Sequence, residues 1–240
     1  MKEFVFAEKW YLFLIAAVVC YFIGCFNFAV FISHFKHKDI RNMGSGNPGT
    51  MNMIRTFGIK IGALTLLCDI LKGGIPTMAG YWLFKGYVFE GTDVLVSDFA
   101  RYFFGICAVI GHVFPVTFKF KGGKGIASTL GLFIFALPCE KWWFAFIAVG
   151  VLLLVILYIA VTEWGSMGSL LGVSGYTAWQ AIMFAVRYFE ELTNVWVILL
   201  FMMLLFINVL TWAAHRKNIF KLFAGEEHRT RIFKHKNKIQ

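Results

Sequence analysis

Long apolar segments without charged residues recur along the chain and predict membrane-spanning helices. Residues 10–33, 142–162, 164–186 and 192–214 contain no Asp, Glu, Lys or Arg. Each of these segments exceeds the roughly 18 residues that indicate a transmembrane helix. Because such segments would form extensive apolar surface in water, the lipid bilayer is the solvent in which this pattern is stable.

Three further segments complete the predicted set of helices. Residues 102–118 are slightly short, and residues 61–84 are long enough but contain Asp69 and Lys72. These two residues lie three positions apart, so we expect them to pair on one helix face. As a straight helix, residues 125–139 would reach about 22 Å across a hydrocarbon core of about 30 Å. We therefore expect a short, tilted or re-entrant helix there.

The positions of Lys and Arg predict the orientation, because basic residues collect in short cytoplasmic loops. If residues 125–139 cross the membrane, most basic residues outside the spans lie on one side, within residues 36–60, 119–124 and 216–238. Six spans would place the basic C-terminal tail opposite the basic first loop. The predicted fold class is all-α: a polytopic membrane helical bundle of seven transmembrane helices, with the N-terminus outside and the C-terminus cytoplasmic. Five spans is the alternative.

Composition favours a single integral membrane domain over residues 1–240. Of the 240 residues, 59% are hydrophobic and 15% are charged, which excludes an ordinary soluble protein. The net charge is +10, and we expect the basic cytoplasmic tail, residues 229–240, to contact anionic headgroups of the lipid bilayer rather than nucleic acid. Five cysteines without a C-x-x-C pattern are expected to be small buried hydrophobic residues: Cys20, Cys25, Cys68, Cys107 and Cys139.

The first loop on the predicted cytoplasmic side, residues 44–55, is rich in glycine and amide side chains. Its first six residues match G-x-G-x-x-G, but no strand precedes them, so a dinucleotide site is excluded. Glycines still allow backbone N–H groups to converge on an anion, and Arg55 can add a bidentate phosphate contact. A flexible connector is the alternative.

The second loop, residues 111–128, places two lysines on a glycine-rich turn before a predicted helix. It is not a Walker A loop, because Phe118 and Gly125 stand where that motif needs Gly and Ser or Thr. Lys121 and Lys124, backbone N–H groups and a helix N-terminus together favour an anion site. An ordinary positively charged cytoplasmic loop would supply the lysines but not the glycines. His112 is equally well explained as a helix-end residue.

The third loop, residues 215–227, follows the last predicted span. His215 and Asn218 lie three positions apart and would share one face of a helix. A basic amphipathic helix at the membrane surface is the alternative, and it explains Arg216, Lys217 and Lys221 but not the His and Asn pair.

These loops resemble the motifs of the PlsY family, the bacterial glycerol-3-phosphate acyltransferases that use acyl phosphate as donor. The resemblance covers nearly the whole chain and departs from the family pattern at Cys25, Thr50, Met51, Ala214 and Lys221. Residues 69–73 and 166–169 look like further family segments. The matching motif positions are Gly44, Ser45, Gly46, Asn47, Gly49, Asn52 and Arg55; then Gly111, His112, Pro115, Phe120, Lys121, Gly122, Gly123, Lys124 and Gly125; then His215, Arg216, Asn218, Ile219, Leu222, Gly225 and Glu227.

The resemblance implies transfer of a fatty acyl group from acyl phosphate to the sn-1 hydroxyl of glycerol 3-phosphate. The products would be 1-acyl-sn-glycerol 3-phosphate and inorganic phosphate, in the first step of phospholipid synthesis. It further implies a multi-pass protein of the bacterial cytoplasmic membrane whose active site faces the cytoplasm. A soluble phosphate acyltransferase would supply the acyl phosphate, and no metal or organic cofactor is expected.

Residue roles carried over by position complete the prediction. The catalytic residues would be Ser45, Arg55, Lys124, His215 and Asn218. The substrate-binding residues would be Gly44, Gly46, Asn47, Gly49, Asn52, His112, Lys121, Gly122, Gly123, Gly125, Ser166, Gly168 and Ser169. Asp69, Lys72 and Glu227 would be structural, with Glu227 holding the third loop by pairing with a nearby cation.

Two other functions fit parts of the sequence. A membrane phosphate or organophosphate transporter could also use basic glycine-rich loops, but transporters usually place binding groups near the bilayer midplane on broken helices in related halves. A membrane scaffold with a lipid-binding tail would leave the three motifs unexplained.

Overall fold

The computed structural model describes residues 1–227 and 229–230. Six of its helices are long and apolar enough to cross a membrane. The predicted basic tail lies outside the described residues, apart from Arg229 and Thr230. In chain order the elements are β1 (Lys2–Phe4), α1 (Phe6–Cys25), α2 (Phe28–Phe35), α3 (Thr50–Phe57), α4 (Ile59–Phe84), β2 (Tyr87–Phe89), α5 (Val96–Val113), α6 (Ile126–Glu140), α7 (Phe144–Thr162), α8 (Gly165–Arg187), α9 (Val195–Ala214) and α10 (Arg216–Phe223), with 3₁₀ turns at Ile40–Asn42, Val116–Phe118 and Phe189–Glu191.

The first predicted span is divided into two helices. Residues 10–33 were expected to form one helix, whereas α1 ends at Cys25 and α2 begins at Phe28. Asn27 starts the second helix, because its side chain accepts a hydrogen bond from the Val30 N–H at 3.0 Å. This correction matters because the break lies next to the first loop.

A second correction concerns α5, which begins at Val96 and not at residue 102. The predicted span started at residue 102, directly after Arg101, because charged residues normally lie outside the membrane. In the structure Arg101 is fully buried and paired with Asp98 at 3.1 Å and with Glu140 of α6 at 2.6 Å. Arg187 also binds Asp98, at 2.6 Å, so opposite charges compensate one another within the bundle.

The short helix α6 extends between the two ends of the bundle. Its 15 residues begin at Ile126, after the glycine-rich turn of the second loop, and end at Glu140. Glu140 forms salt bridges with Arg101 near the start of α5 and with Arg187 at the end of α8. A crossing in a tilted or locally thinned position agrees with this placement. The count of seven spans stays a prediction.

Glycines allow α4 and α6 to pack closely. A Cβ atom on Gly73 would collide with the backbone carbonyl of Ser128, and one on Gly131 would collide with that of Ile70. Small residues of this kind let membrane helices approach until their backbones touch. The contact holds the start of α6, and with it the second loop, against α4.

A short parallel ladder marks the end of the bundle opposite the three motif loops. It pairs β1 with β2, so the N-terminus lies beside the connection between α4 and α5. Trp196 of α9 stacks on Phe89 of β2 with ring centroids 3.7 Å apart. The two ends of the bundle therefore differ, with aromatic packing at one and glycine-rich polar loops at the other.

The cysteines are all free thiols. Cys20 and Cys25 are buried, and Cys68, Cys107 and Cys139 are partly buried. This placement agrees with their prediction as small hydrophobic residues.

Candidate active site

A chain of side-chain hydrogen bonds connects the second and third loops at one end of the bundle. The Lys124 ammonium donates to Asn218 Oδ1 at 2.6 Å. Asn218 Nδ2 in turn donates to Ser166 Oγ, at the start of α8, at 2.8 Å. The three residues are far apart in sequence, and together they form a polar centre just outside the apolar part of the bundle.

The glycines of the second loop shape the turn that presents Lys124. Gly125 has a φ of +80°, a conformation that favours glycine, and α6 begins immediately after it. The N–H groups of Gly122 and Gly123 donate to the carbonyls of Val113 and His112, at 3.1 and 3.2 Å. These N–H groups close the turn, and substrate binding by Gly122 and Gly123 stays a prediction.

Lys124 is half-buried, and this changes its acidity. The pKa of its ammonium is lowered to about 8, chiefly by burial; the Glu227 carboxylate opposes this shift, and the nearby charges of Arg55 and Lys221 contribute to it. These influences also show that cations from the first and third loops surround Lys124. The site therefore concentrates positive charge from all three loops, which favours a dianionic phosphate.

His215 lies beside Lys124 and is buried. Its Nδ1 donates to the Thr211 carbonyl at 2.9 Å, which leaves Nε2 without a proton. Burial lowers the pKa of the imidazole to about 4, and the charge of Lys124 contributes in the same direction. His215 is therefore neutral at physiological pH and presents Nε2 as a hydrogen-bond acceptor.

Asn52 is buried and holds the backbone of the first loop. It is 1% exposed, and its Oδ1 accepts from the Ser45 N–H at 3.1 Å. Its Nδ2 donates to the carbonyls of Met43, at 2.8 Å, and Ile40, at 3.2 Å. The amide of Asn52 therefore holds the loop backbone in place, and its role in substrate binding stays a prediction.

Ser45 and Arg55 remain available to a ligand. Both are exposed, and within residues 1–227 and 229–230 no hydrogen bond or ion pair of either side chain is found. Gly44 and Gly46, on either side of Ser45, have φ values of +55° and +70°. Asn47 and Gly49 are partly buried, and the Gly49 N–H donates to the Asn47 carbonyl.

The sequence profile of the family described as Glycerol-3-phosphate acyltransferase matches residues 14–225. The chain belongs to this family. Glycerol-3-phosphate acyltransferases of Finegoldia magna and Aquifex aeolicus are 36% and 34% identical to it, and each alignment covers 90% of this chain and 96% or 98% of the relative.

A solved structure of the family has the same fold. It is PlsY (YgiH), described as an integral membrane glycerol 3-phosphate acyltransferase and crystallised in a glycerol 3-phosphate form. The TM-score is 0.70 at 30% identity, over 90% of this chain and 94% of that one. A lysophosphatidic acid form of the same protein also has a TM-score of 0.70, at 28% identity.

Several other predicted family site residues lie outside the polar centre. His112 is 4% exposed, and its Nδ1 lies 3.8 Å from Asp69 Oδ1 inside the bundle. Ser169 donates to the Gly165 carbonyl of its own helix, and Gly168 packs against α7. Lys121 is exposed on the loop. Within the predicted segment 166–169, only Ser166 is hydrogen-bonded to the polar centre, where Asn218 connects it to Lys124.

The predicted structural residues have different outcomes. Lys72 and Asp69 form the expected pair, with 3.0 Å between Nζ and Oδ1. Glu227 was expected to pair with a cation, but it forms no salt bridge with any residue that the structure describes, and its Oε2 is buried without a hydrogen-bond partner there. Its carboxylate influences Lys124 by longer-range electrostatic attraction, which raises the pKa of the ammonium.

Asn27 is a residue of this region that the motifs do not include. It is 5% exposed, and its Nδ2 donates to the Pro48 carbonyl of the first loop at 3.3 Å. An amide within an otherwise apolar predicted span was the sequence signal that could have identified it.

Raising the pH through about 8 is expected to weaken recognition of a phosphate substrate. Lys124, whose pKa burial lowers to about 8, is cationic below that pH and neutral above it. The kcat/KM for glycerol 3-phosphate, which reports groups of the free enzyme, should fall about tenfold per pH unit on the alkaline side. A steady-state pH profile measures this limb.

Lys124→Arg provides the control for the pH profile. Guanidinium remains charged throughout the accessible range, so this variant should keep its activity to higher pH even if its maximum is lower. An alkaline limb at the same pH in the Arg variant would assign the titration to another group.

Proposed function

We propose that this protein transfers a fatty acyl group from acyl phosphate to the sn-1 hydroxyl of glycerol 3-phosphate, releasing 1-acyl-sn-glycerol 3-phosphate and inorganic phosphate. The observation that carries the proposal is the hydrogen-bonded chain from Lys124 through Asn218 to Ser166, with Arg55 close enough to lower the pKa of Lys124. Family membership supports glycerol 3-phosphate as the acceptor.

Lys124 is proposed to bind the phosphate of glycerol 3-phosphate. The ammonium is held by a neutral amide and not by a carboxylate, so its charge is available to an anion. Asn218 and Ser166 would then orient the glycerol hydroxyls. A charged hydrogen bond of this kind contributes about 1.5–3 kcal/mol.

Ser45 and Arg55 are proposed to bind the phosphate of the acyl donor. Arg55 is exposed and unpaired among the described residues, and a guanidinium can hold two phosphate oxygens at once. A cavity of about 360 Å³ between the α1–α2 break and the second loop offers an apolar site for the acyl chain. Its lining includes Phe22, Phe31 and Phe118.

The proposed reaction is a single displacement on an activated donor. The sn-1 hydroxyl oxygen attacks the acyl carbonyl carbon, the bond from that carbon to the phosphate oxygen breaks, and phosphate leaves. Either His215 Nε2 or a donor phosphate oxygen can accept the hydroxyl proton. Because acyl phosphate has a good leaving group, positioning and charge stabilisation supply most of the catalysis, and the proposal includes no metal or organic cofactor.

The proposed setting is the bacterial cytoplasmic membrane, with the polar centre facing the cytoplasm. Both lysine-bearing loops lie at the end of the bundle opposite the β1–β2 ladder, in agreement with the preference of basic residues for the cytoplasmic side. This orientation would allow soluble glycerol 3-phosphate to enter from the cytoplasm and acyl phosphate to arrive from a soluble phosphate acyltransferase.

The test of this function is product formation by the purified protein in lipidic mesophase. Labelled glycerol 3-phosphate is supplied with palmitoyl phosphate or with a palmitoyl thioester, and no metal is added. Lysophosphatidate and inorganic phosphate are expected from acyl phosphate alone. Equal turnover of the thioester would overturn the proposed donor, and unchanged glycerol 3-phosphate accumulating inside proteoliposomes would indicate a transporter.

A further inference from the structure

The break between α1 and α2 interrupts an apolar segment that is long enough to span a membrane, Phe6–Phe35, and leaves backbone groups there without helical partners. A helix end leaves carbonyl groups without intrahelical partners, and in hydrocarbon each such group is costly. At this break the Phe26 carbonyl accepts a hydrogen bond from the Lys72 ammonium at 2.9 Å. The donor comes from α4, 46 positions away along the chain.

Lys72 is itself buried and requires a counter-ion. Its side chain is 3% exposed, as is that of Asp69, whose Oδ1 lies 3.0 Å from Nζ. His112, near the start of the second loop, also approaches this carboxylate, with 3.8 Å between its Nδ1 and Asp69 Oδ1. The pair therefore lies between the α1–α2 break and the base of the loop that carries Lys124.

The residue after Phe26 continues this connection into the first loop. Asn27 caps α2 through its Oδ1, and its Nδ2 donates to the Pro48 carbonyl at 3.3 Å. Pro48 directly precedes Gly49, the N-cap of α3, and α3 carries Arg55. Two adjacent residues at the break thus link α4 to the loop that holds Ser45 and Arg55.

We infer that Lys72, with Asp69 as its counter-ion, and Asn27 are positioning residues that hold the first loop at its working distance from Lys124. The inference rests on the proposed function, in which the first loop binds the donor phosphate and Lys124 binds the acceptor. A displacement of about 1 Å between such groups can cost on the order of 100-fold in rate. The contacts of Lys72 and Asp69 reach the reacting groups through the backbone, so neither residue touches substrate. Asn27 also lines the cavity proposed for the acyl chain, and its hydrogen bond to the Pro48 carbonyl is the contact that positions the first loop.

A double substitution separates positioning from simple charge compensation. Lys72→Met alone leaves Asp69 buried and unpaired, and this variant is expected to be unstable. Asp69→Asn with Lys72→Met removes both charges together, so thermal stability should return towards that of the wild type. The Phe26 carbonyl would still lack its donor, and the KM for acyl phosphate is expected to rise at least tenfold.

Asn27→Ser tests the second link without altering any charge. Serine can still cap α2, but its side chain is too short to reach the Pro48 carbonyl. We expect stability within the range of the wild type and a similar rise in the KM for acyl phosphate. A population of unfolded protein would lower the active fraction and leave KM unchanged, so KM distinguishes positioning from a structural role.

Thr65→Val is the matched control on α4. Thr65 is buried one turn before Asp69, and its hydroxyl donates only to the Ile61 carbonyl of the same helix. The KM of the Thr65→Val variant for acyl phosphate should therefore equal that of the wild type. If the Asp69→Asn, Lys72→Met double variant and the Asn27→Ser variant both fold and keep the wild-type KM for acyl phosphate, the positioning inference is overturned and the proposed function still stands. Absence of lysophosphatidate from wild-type protein would overturn the proposed function as well.

Discussion

Lys124→Met is expected to raise the KM for glycerol 3-phosphate roughly 10- to 100-fold. The substitution keeps an unbranched side chain one atom shorter and removes a charged contact worth about 1.5–3 kcal/mol, and each 1.4 kcal/mol corresponds to about tenfold. Asn218 Oδ1 would lose the hydrogen bond that the Lys124 ammonium donates at 2.6 Å. The amide of Asn218 should then be held less firmly in its orientation towards Ser166. Initial rates at saturating acyl phosphate measure the effect.

Lys119→Met is the matched control for this experiment. Lys119 is exposed in the same loop and forms no salt bridge within the described residues, so the variant makes the same chemical change away from the polar centre. Its KM for glycerol 3-phosphate should stay within about twofold of the wild type. Equal effects of the two substitutions would show that the loop acts only through its overall charge, and unchanged kinetics of Lys124→Met would dismiss Lys124 as the acceptor site.

Arg55→Gln is expected to lower kcat/KM for acyl phosphate by about 100- to 1000-fold. Loss of one preorganised donor that stabilises developing charge costs about 10²–10³ in enzymes that depend on such stabilisation. Arg55→Lys should recover only part of this loss, because an ammonium cannot reproduce the bidentate geometry of a guanidinium. Initial rates with varied acyl phosphate and saturating glycerol 3-phosphate separate the two variants.

Arg41→Gln provides the comparison within the same part of the chain. The guanidinium of Arg41 is bound to Asp39 at 2.8 Å, which also raises the pKa of Arg41, so its charge is already compensated. We expect a modest change in kcat/KM for this variant. A loss as large as that of Arg55→Gln would mean that the first loop responds to any lost guanidinium, and the proposed donor contact of Arg55 would be wrong.

Some features of the site were predictable because they depend on residues close in sequence. Asp69 and Lys72 lie one turn apart, and a helix brings such residues together whatever surrounds it. Gly44, Gly46 and Gly125 all have positive φ values, a backbone requirement that their residue type already indicated. The prediction of glycine-shaped loops beside helices was therefore confirmed, while the substrate contacts assigned to them stay predictions.

Other features depended on partners from distant parts of the chain. The limits of α5 were predicted incorrectly because the partners of Arg101 include Glu140, which local composition cannot reveal. The contacts of Asn52 could not be predicted either, because the same amide can bind a ligand or the loop backbone, and only the folded loop shows its bonds to the backbone of Ser45 and Met43. Side-chain type indicates the available chemistry, and tertiary structure determines where it is used.

The sequence by itself determined the membrane-embedded helical class, the approximate positions of the helices and the end of the bundle at which polar groups collect, since hydropathy and charge act over short stretches of chain. Tertiary structure alone decided that the Phe26 carbonyl, at the break between α1 and α2, accepts a hydrogen bond from Lys72 of α4. It also decided that Lys124, Asn218 and Ser166 meet. These contacts join residues brought together by the packing of whole helices, and no local pattern specifies that packing.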